Sequence, residues 1–177
     1  MRNLFSLFTI TIFFLSCNIV DKKPIAETTA VEEIVTTYYL IRHAEKDRSD
    51  PDNGDPNLTE AGLQRAKNWA TFFTNVDLDQ IYSTNYNRTQ QTARFVAEQK
   101  GITIQSYNPS KLYSEDFQQL TQGGTVLVVG HSNTTPQFVN AIIGEEKYTD
   151  MDDGDNSSVY VVTVTGTKKS VQVLTVD

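Results

Sequence analysis

The sequence has few of the residues that build metal centres and covalent cross-links: one cysteine and two histidines occur among its 177 residues. A single cysteine excludes an intramolecular disulfide and a metal site built from several thiolates. Basic residues are also fewer than acidic ones: the sequence has 15 lysine and arginine residues and 22 aspartate and glutamate residues, which gives a formal net charge of -7. This balance argues against a nucleic-acid-binding surface, which must neutralise many phosphates. A few cations gathered at one place can still bind a small anion.

Long apolar runs are also absent, apart from one at the N-terminus. Residues 4–15 are interrupted only by Ser6, Thr9 and Thr11, and Arg2 precedes them. The run is too short for a membrane-spanning helix and has the anatomy of a signal peptide. We therefore expect this segment to be a targeting sequence and not part of the fold.

The only cysteine lies where a signal peptide would be cleaved. Residues 14–17 resemble the lipobox of bacterial lipoproteins, because Ser16 and Cys17 have the usual identities, while Phe14 replaces the more usual leucine. The resemblance implies lipidation of Cys17 and therefore a membrane-anchored, extracytoplasmic protein. Alternatively, Cys17 could serve as a small hydrophobic residue buried in a core, without lipidation.

These features divide the chain into three parts. Residues 1–17 are predicted to be the lipoprotein signal peptide. Residues 18–33 are polar and show no apolar period, which is typical of a flexible tether. Residues 34–177 are predicted to form one folded domain, since their number suffices to bury a hydrophobic core.

Apolar periodicity predicts alternating strands and helices in this domain. Continuous β-branched and aromatic runs indicate strands buried on both faces, and apolar residues three and four apart indicate helices with one buried face. The expected order is strand 35–41, a helix from Thr59, strand 78–83, helix 89–100, strand 102–107, helix 114–120, strand 125–129, helix 135–143, and a hairpin of 158–164 with 170–176. This order predicts an α/β fold: a three-layer α/β/α sandwich whose mostly parallel sheet ends in an antiparallel hairpin.

The first of these helices has an amphipathic pattern. Thr59 is a suitable N-cap. The residues expected on the buried face are Ala61, Leu63, Ala66, Trp69, Ala70 and Phe73.

Both histidines follow strand-like runs. His43 comes directly after Arg42 at the end of the first strand, and His131 comes after Gly130 at the end of the fourth. The carboxyl ends of parallel strands form the ligand crevice of an open α/β sheet, so we expect both imidazoles at one site. Imidazole suits nucleophilic or acid–base chemistry, and the Arg42 guanidinium suits phosphoryl oxygens. One histidine after a strand is more often structural, but the pair favours a functional site.

Four motifs in this order resemble the histidine phosphatase superfamily, also called the phosphoglycerate mutase-like family: residues 42–46, residues 58–66, residues 82–84 with 88–93, and residues 130–133. The resemblance extends over about residues 36–165. It implies a phosphoglycerate mutase-like fold and a phosphatase that needs neither a metal nor a cofactor. The short segment between Arg88 and His131 leaves little room for a lid, which favours the compact branch that resembles bacterial phosphohistidine phosphatases.

The resemblance also assigns roles to residues. It implies that His43 is the nucleophile that forms a phosphohistidine, and that Arg42, Arg88 and His131 form the phosphate pocket. Alternatively, Arg88 could be a solvated residue at the start of a helix, without a role in binding phosphate. Asn133 either contacts phosphate or caps the following helix.

The proton donor to the leaving group is less well marked. Larger members of the family use a carboxylate after the third strand, and Glu115 occupies roughly that region. The Trp-Glu-Gly-type segment that usually accompanies this carboxylate is missing here. Glu115 is therefore predicted either to donate the proton or to serve only as a helix-start carboxylate favoured by the helix dipole.

The predicted function is hydrolysis of a phosphomonoester or a phosphoramidate, on a small phosphorylated substrate or a phosphoprotein. A phosphate-binding or scaffold lipoprotein without turnover is one alternative, although a binder has no need of a nucleophile. A phosphoglycerate-type mutase is another, although a small open site should admit water to the phosphoenzyme.

Overall fold

The computed structural model describes residues 33–176. The predicted signal peptide, Cys17 and all of the predicted tether but its last residue lie outside the described residues. No helix in the described part of the chain is long and apolar enough to cross a membrane.

Six strands and four helices alternate along this part of the chain. The strands are β1 (Val35–Arg42), β2 (Gln80–Ser83), β3 (Ile104–Ser106), β4 (Thr125–Gly130), β5 (Ser158–Thr165) and β6 (Lys168–Thr175). The helices are α1 (Glu60–Phe72), α2 (Asn87–Lys100), α3 (Glu115–Thr121) and α4 (Thr134–Ile143), with one 3-10 turn, Phe73–Asn75, after α1. The predicted order is confirmed, although β3 is shorter than expected.

The strands form one mixed sheet with the order β3-β2-β4-β1-β5-β6. The pairs β1–β4, β2–β4 and β2–β3 are parallel, whereas β1–β5 and β5–β6 are antiparallel. The predicted C-terminal hairpin therefore closes one edge of a mostly parallel sheet. A right-handed crossover helix is the usual link between parallel strands, which accounts for the α/β alternation before β5.

Helices cover both faces of the sheet, as the apolar strands require. On one face Tyr38, Leu40 and Val128 pack with Phe117 of α3 and Phe138 of α4. On the other face the alternate strand residues pack against α1 and α2; this cluster includes Ile41, Leu127, Val129, Trp69, Phe73, Ala93 and Val96. Burial on both sides explains why β1 and β4 show no alternation of polar and apolar residues.

Helix α1 differs in one respect from its predicted pattern. Thr59 caps it as expected, since its Oγ1 accepts a hydrogen bond of 3.1 Å from the Gly62 amide. Ala61 is exposed, however, and Gly62 is the residue that turns inward. A Cβ atom at Gly62 would overlap the carbonyl oxygen of Glu45, so only glycine lets the helix approach the segment after β1 this closely.

We expect Gly62→Ala to lower the free energy of unfolding by about 1–3 kcal/mol, because overpacking against backbone forces α1 or the Glu45 segment to move. Gly54→Ala is the matched control, since a Cβ there meets no atom within 4 Å. Urea unfolding followed by circular dichroism measures both. Equal midpoints for the two variants would contradict the close contact.

Candidate active site

The two histidines are brought together by the pairing of β1 with β4. Arg42 and Gly130 are partners in the parallel register, and the His43 amide donates a hydrogen bond of 2.9 Å to the Gly130 carbonyl. The next residue on each strand is therefore a histidine. Their ring centroids lie 5.5 Å apart, with an angle of 67° between the ring planes.

A cavity of about 360 Å³ lies at these carboxyl ends. Five of the six residues predicted for catalysis or substrate binding line it: Arg42, His43, Arg88, His131 and Asn133. Lys46, Tyr86 and Asp153 also line it, together with smaller residues. The cavity is thus mainly polar, with several cations in an otherwise acidic protein.

Glu115 is the exception. It is the exposed first residue of α3, next to Ser114, whose Oγ accepts a hydrogen bond from the Phe117 amide. The loop after β3 reaches the cavity at Pro109, and Glu115 follows only after that loop has left it. Its position fits a helix-start carboxylate and does not support the predicted role as proton donor.

His43 has a defined tautomer. Its Nδ1 lies 2.8 Å from the Ala44 carbonyl oxygen, which can only accept, so Nδ1 carries the proton and Nε2 keeps its lone pair. Burial lowers the pKa of His43 to about 3, with the charge of Arg42 and the neighbouring His131 adding to this effect and the Ala44 hydrogen bond opposing it. The imidazole is therefore neutral at neutral pH, as a nucleophile must be.

The backbone around His43 is fixed by two further side chains. Asn156 Nδ2 donates a hydrogen bond of 2.8 Å to the His43 carbonyl. The Ala44 amide donates one of 2.9 Å to Thr92 Oγ1 of α2. These contacts hold the imidazole at the cavity wall.

His131 is held by side chains that follow β2 in the chain. Its Nε2 lies 2.9 Å from Oγ1 of Thr84, which in turn lies 3.0 Å from Oγ1 of Thr89. The Tyr86 ring packs edge-on against the imidazole, with 5.1 Å between ring centroids. Burial, followed by the charges of Arg88 and Arg42, lowers the pKa of His131 to about 4. In the free protein this histidine is neutral and donates through one ring N–H only.

Arg42 is almost completely buried, with 2% of its side chain exposed. Its Nη1 donates to the carbonyl oxygens of Asp152, Asp153 and Asp155 at 2.8, 2.9 and 3.2 Å, and its Nη2 donates to the Asp153 carboxylate at 2.9 Å. The loop before β5 therefore orients the guanidinium. Its Nε is buried and has no hydrogen-bond partner among residues 33–176.

Arg88 resembles Arg42 in this respect. It lies at the start of α2, where its guanidinium stacks over the Tyr86 ring at 4.4 Å and its Nη1 lies 3.4 Å from Asp55 Oδ1. Only 12% of its side chain is exposed, so it is not the solvated residue of the alternative interpretation. Its Nε is also buried without a partner in the described chain. An unpaired buried donor is costly, and no partner in the described chain offsets that cost for either Nε.

Asn133 occupies the N-cap position of α4, but its side chain makes no capping hydrogen bond. The hydroxyl that serves this turn belongs to Thr134, whose Oγ1 accepts a hydrogen bond of 3.0 Å from the His131 amide. Asn133 is exposed and lines the cavity, which leaves its amide available to a ligand.

Several residues of the site were not predicted. Thr84 lies within a segment that resembles the family, but nothing in the sequence connects it with His131. The loop residues 152–155 show only the turn composition of Asp and Gly, and their contact with Arg42 joins distant parts of the chain. Within residues 33–176 no group of three or more His, Cys, Asp or Glu side chains could hold a metal ion.

Comparison with known proteins places this geometry in context. Residues 38–108 match the model of the histidine phosphatase superfamily (branch 1). The match covers less than half of the chain and includes Arg42, His43 and Arg88, but it ends before β4 and His131. The sequence has no significant match among curated proteins.

Solved structures with this fold are numerous and distant in sequence. A structure described as phosphohistidine phosphatase SixA from Agrobacterium tumefaciens is 24% identical, with a TM-score of 0.58 over 78% of this chain and 97% of that one. Phosphoglycerate mutase from Bacillus anthracis is 16% identical, with a TM-score of 0.62 over 80% and 93%. The protein histidine phosphatase SixA in complex with tungstate is 13% identical, with a TM-score of 0.61 over 78% and 96%. The chain therefore has the phosphoglycerate mutase-like fold.

The lowered histidine pKa values predict a pH-dependent stability. An unfolded histidine titrates near pH 6.5, whereas His43 titrates at about 3 in the folded protein. The stability linked to its neutral form is present above pH 6.5 and is lost as the pH falls toward the folded value. We expect each such histidine to remove up to about 1.4 kcal/mol per pH unit over this range.

The variant His43→Gln removes one histidine that titrates in this pH range and leaves all carboxylate groups unchanged. Its free energy of unfolding should therefore fall less steeply between pH 6.5 and pH 4.5 than that of the wild type. Urea unfolding at a series of pH values measures the difference. Parallel curves would contradict the lowered pKa.

Proposed function

We propose that the protein belongs to the histidine phosphatase superfamily and hydrolyses a phosphomonoester or a phosphoramidate through a phosphohistidine on His43. One observation carries this proposal: Arg42 and Arg88 line the same cavity as a neutral His43, and each has a buried Nε without a partner among the described residues. Two guanidinium groups at one cavity suit the oxygens of a phosphoryl group.

The site residues then have distinct tasks. Arg42 and Arg88 bind the phosphoryl oxygens, and His131 and Asn133, which line the same cavity, add further donors. The lone pair of His43 Nε2 forms a bond to phosphorus while the bond to the leaving group breaks. Water then attacks phosphorus, phosphate leaves, and the electron pair returns to Nε2. The developing charge is balanced by guanidinium groups already held in place by protein contacts.

The comparisons support the same class of reaction. The family match includes three of the proposed residues. Similar folds occur in proteins described as phosphohistidine phosphatases, and one of them binds tungstate, which has the charge and shape of phosphate. Turnover is favoured over simple binding because the Ala44 hydrogen bond holds His43 in the tautomer of a nucleophile.

We also propose that the protein is an extracytoplasmic bacterial lipoprotein anchored through Cys17. The support comes from the sequence, in which an apolar run ends in a lipobox-like segment and a polar tether follows. A tether would let the domain reach substrates some distance from the bilayer.

The activity prediction concerns His43. Wild-type protein should hydrolyse p-nitrophenyl phosphate in the presence of EDTA, and His43→Gln should abolish turnover while phosphate binding persists. His131→Ala should lower kcat by on the order of 10²-fold or more, because it removes one preorganised donor. Arg94→Met, on the exposed side of α2, is the control. Steady-state rates and phosphate binding by calorimetry measure these effects.

Two results would contradict this assignment. Unchanged turnover in His43→Gln would show that His43 is not the nucleophile. Strict dependence on an added divalent metal would exclude the metal-free mechanism. Rapid quenching should also trap an acid-labile, alkali-stable phosphate on His43.

The anchor prediction concerns Cys17. Cys17→Ser should prevent incorporation of labelled fatty acid and release the protein from membranes in the native host. Ser6→Ala, within the apolar run, should retain both. Mass spectrometry that shows the native protein with Met1 present and Cys17 unmodified would contradict the proposed localisation.

A further inference from the structure

Hydrolysis of an alkyl or simple aryl phosphate needs a proton donor, because the alkoxide or phenoxide is a poor leaving group. Glu115 does not line the cavity. The one carboxylate among the described residues of the cavity wall is Asp153. It accepts hydrogen bonds of 2.9 Å from both Arg42 and Arg48, and these bonds lower its pKa. Asp153 is therefore ionised at neutral pH and has no proton to give.

Lys46 lines the same cavity on the chain segment that carries His43. Its backbone is fixed, since it forms an antiparallel bridge with Leu58 and the following amide, of Asp47, donates a hydrogen bond of 2.8 Å to the Asn57 carbonyl. The side chain is half-buried. Lys46 thus starts from a defined position beside the nucleophile.

The other cations near the cavity are all engaged. Arg42 and Arg48 pair with Asp153, and Arg88 pairs with Asp55. Within residues 33–176, the Lys46 ammonium group takes part in no ion pair and no side-chain hydrogen bond. Among the described residues of the cavity wall, Lys46 is therefore the lysine or arginine without an ion-pair partner.

The surroundings of Lys46 favour release of its proton. Desolvation lowers its pKa, as do the positive charges of Arg88, Arg48 and Arg42, while only Asp153 opposes them. An amine whose pKa is brought closer to the working pH transfers a proton more effectively in both directions.

We propose that Lys46 is a catalytic residue, the proton donor to the leaving group, and that the protein accordingly acts on phosphomonoesters of poorly departing alcohols. The inference rests on the proposed phosphatase function. In the first step the lone pair of His43 Nε2 forms a bond to phosphorus. The P–O bond breaks, its electron pair stays on the leaving oxygen, and this oxygen accepts a proton from the Lys46 ammonium group. In the second step the neutral amine takes a proton from the attacking water as the P–N bond breaks.

Leaving-group dependence tests this role. Phenyl phosphate needs protonation, whereas 2,4-dinitrophenyl phosphate releases a stable anion and does not. We expect Lys46→Met to lower kcat/KM for phenyl phosphate by on the order of 10²-fold or more and to change that for 2,4-dinitrophenyl phosphate by less than about threefold. The parameter kcat/KM is suitable because it reports the steps up to departure of the alcohol, not the later hydrolysis of the phosphoenzyme.

Three further variants separate the possible causes. Lys46→Arg keeps the charge but holds its proton at any working pH, so it should not restore phenyl phosphate hydrolysis. Glu115→Gln tests the carboxylate predicted from the sequence and should show no selective loss. Lys67→Met, on exposed α1 surface, controls for loss of a lysine. Retained activity on 2,4-dinitrophenyl phosphate shows that each variant is folded.

The outcomes are distinct. An equal loss on both substrates in Lys46→Met would mean that Lys46 binds the phosphoryl group, and the inference would be wrong while the proposed function stands. A selective loss in Glu115→Gln, or full activity of Lys46→Arg on phenyl phosphate, would also overturn it. Wild-type protein without activity on either ester or on phosphoramidate would overturn the proposed function itself.

Discussion

The site depends on one backbone contact, the hydrogen bond from the His43 amide to the Gly130 carbonyl at the end of the β1–β4 pair. It sets the register that makes the residues after Arg42 and Gly130 neighbours. Glycine also fits this position closely, because a Cβ at position 130 would lie about 3 Å from the hydroxyl oxygens of Thr135, Thr134 and Tyr107, which would have to move. The start of α4 therefore packs closely against the end of β4.

The positive charge of the site is carried by side chains other than the two histidines. Both histidines are neutral, which leaves the guanidinium groups as the main positive charges. Asp153 pairs with Arg42 and Asp55 with Arg88, in an otherwise acidic protein. The carboxylates thus orient the two guanidinium groups. A phosphoryl dianion would meet a site whose dipoles and charges already point inward, which reduces the reorganisation needed for reaction.

Much of this could be predicted from the sequence, because the strongest signals are local. The apolar runs of β1 and β4 reveal buried strands, and a histidine at the end of each implies a shared crevice. What could not be predicted depends on contacts between distant segments. The loop 152–155 holds Arg42 through backbone carbonyls, which carry no sequence signature. The inward position of Gly62 depends on the path of the backbone at Glu45. The position of Glu115 depends on where the loop between β3 and α3 leaves the cavity.

The two guanidinium groups belong to different layers, since Arg42 ends β1 of the sheet and Arg88 lies in the first turn of α2. One anion that accepts hydrogen bonds from both would join sheet to helix as a non-covalent cross-link. Binding to the folded chain alone adds RT ln(1 + [L]/Kd) to its stability, about 2.7 kcal/mol when the ligand is at 100 times its Kd. Inorganic phosphate, the product of the proposed reaction, would then act as a structural component of the domain, and the melting temperature would depend on the choice of buffer.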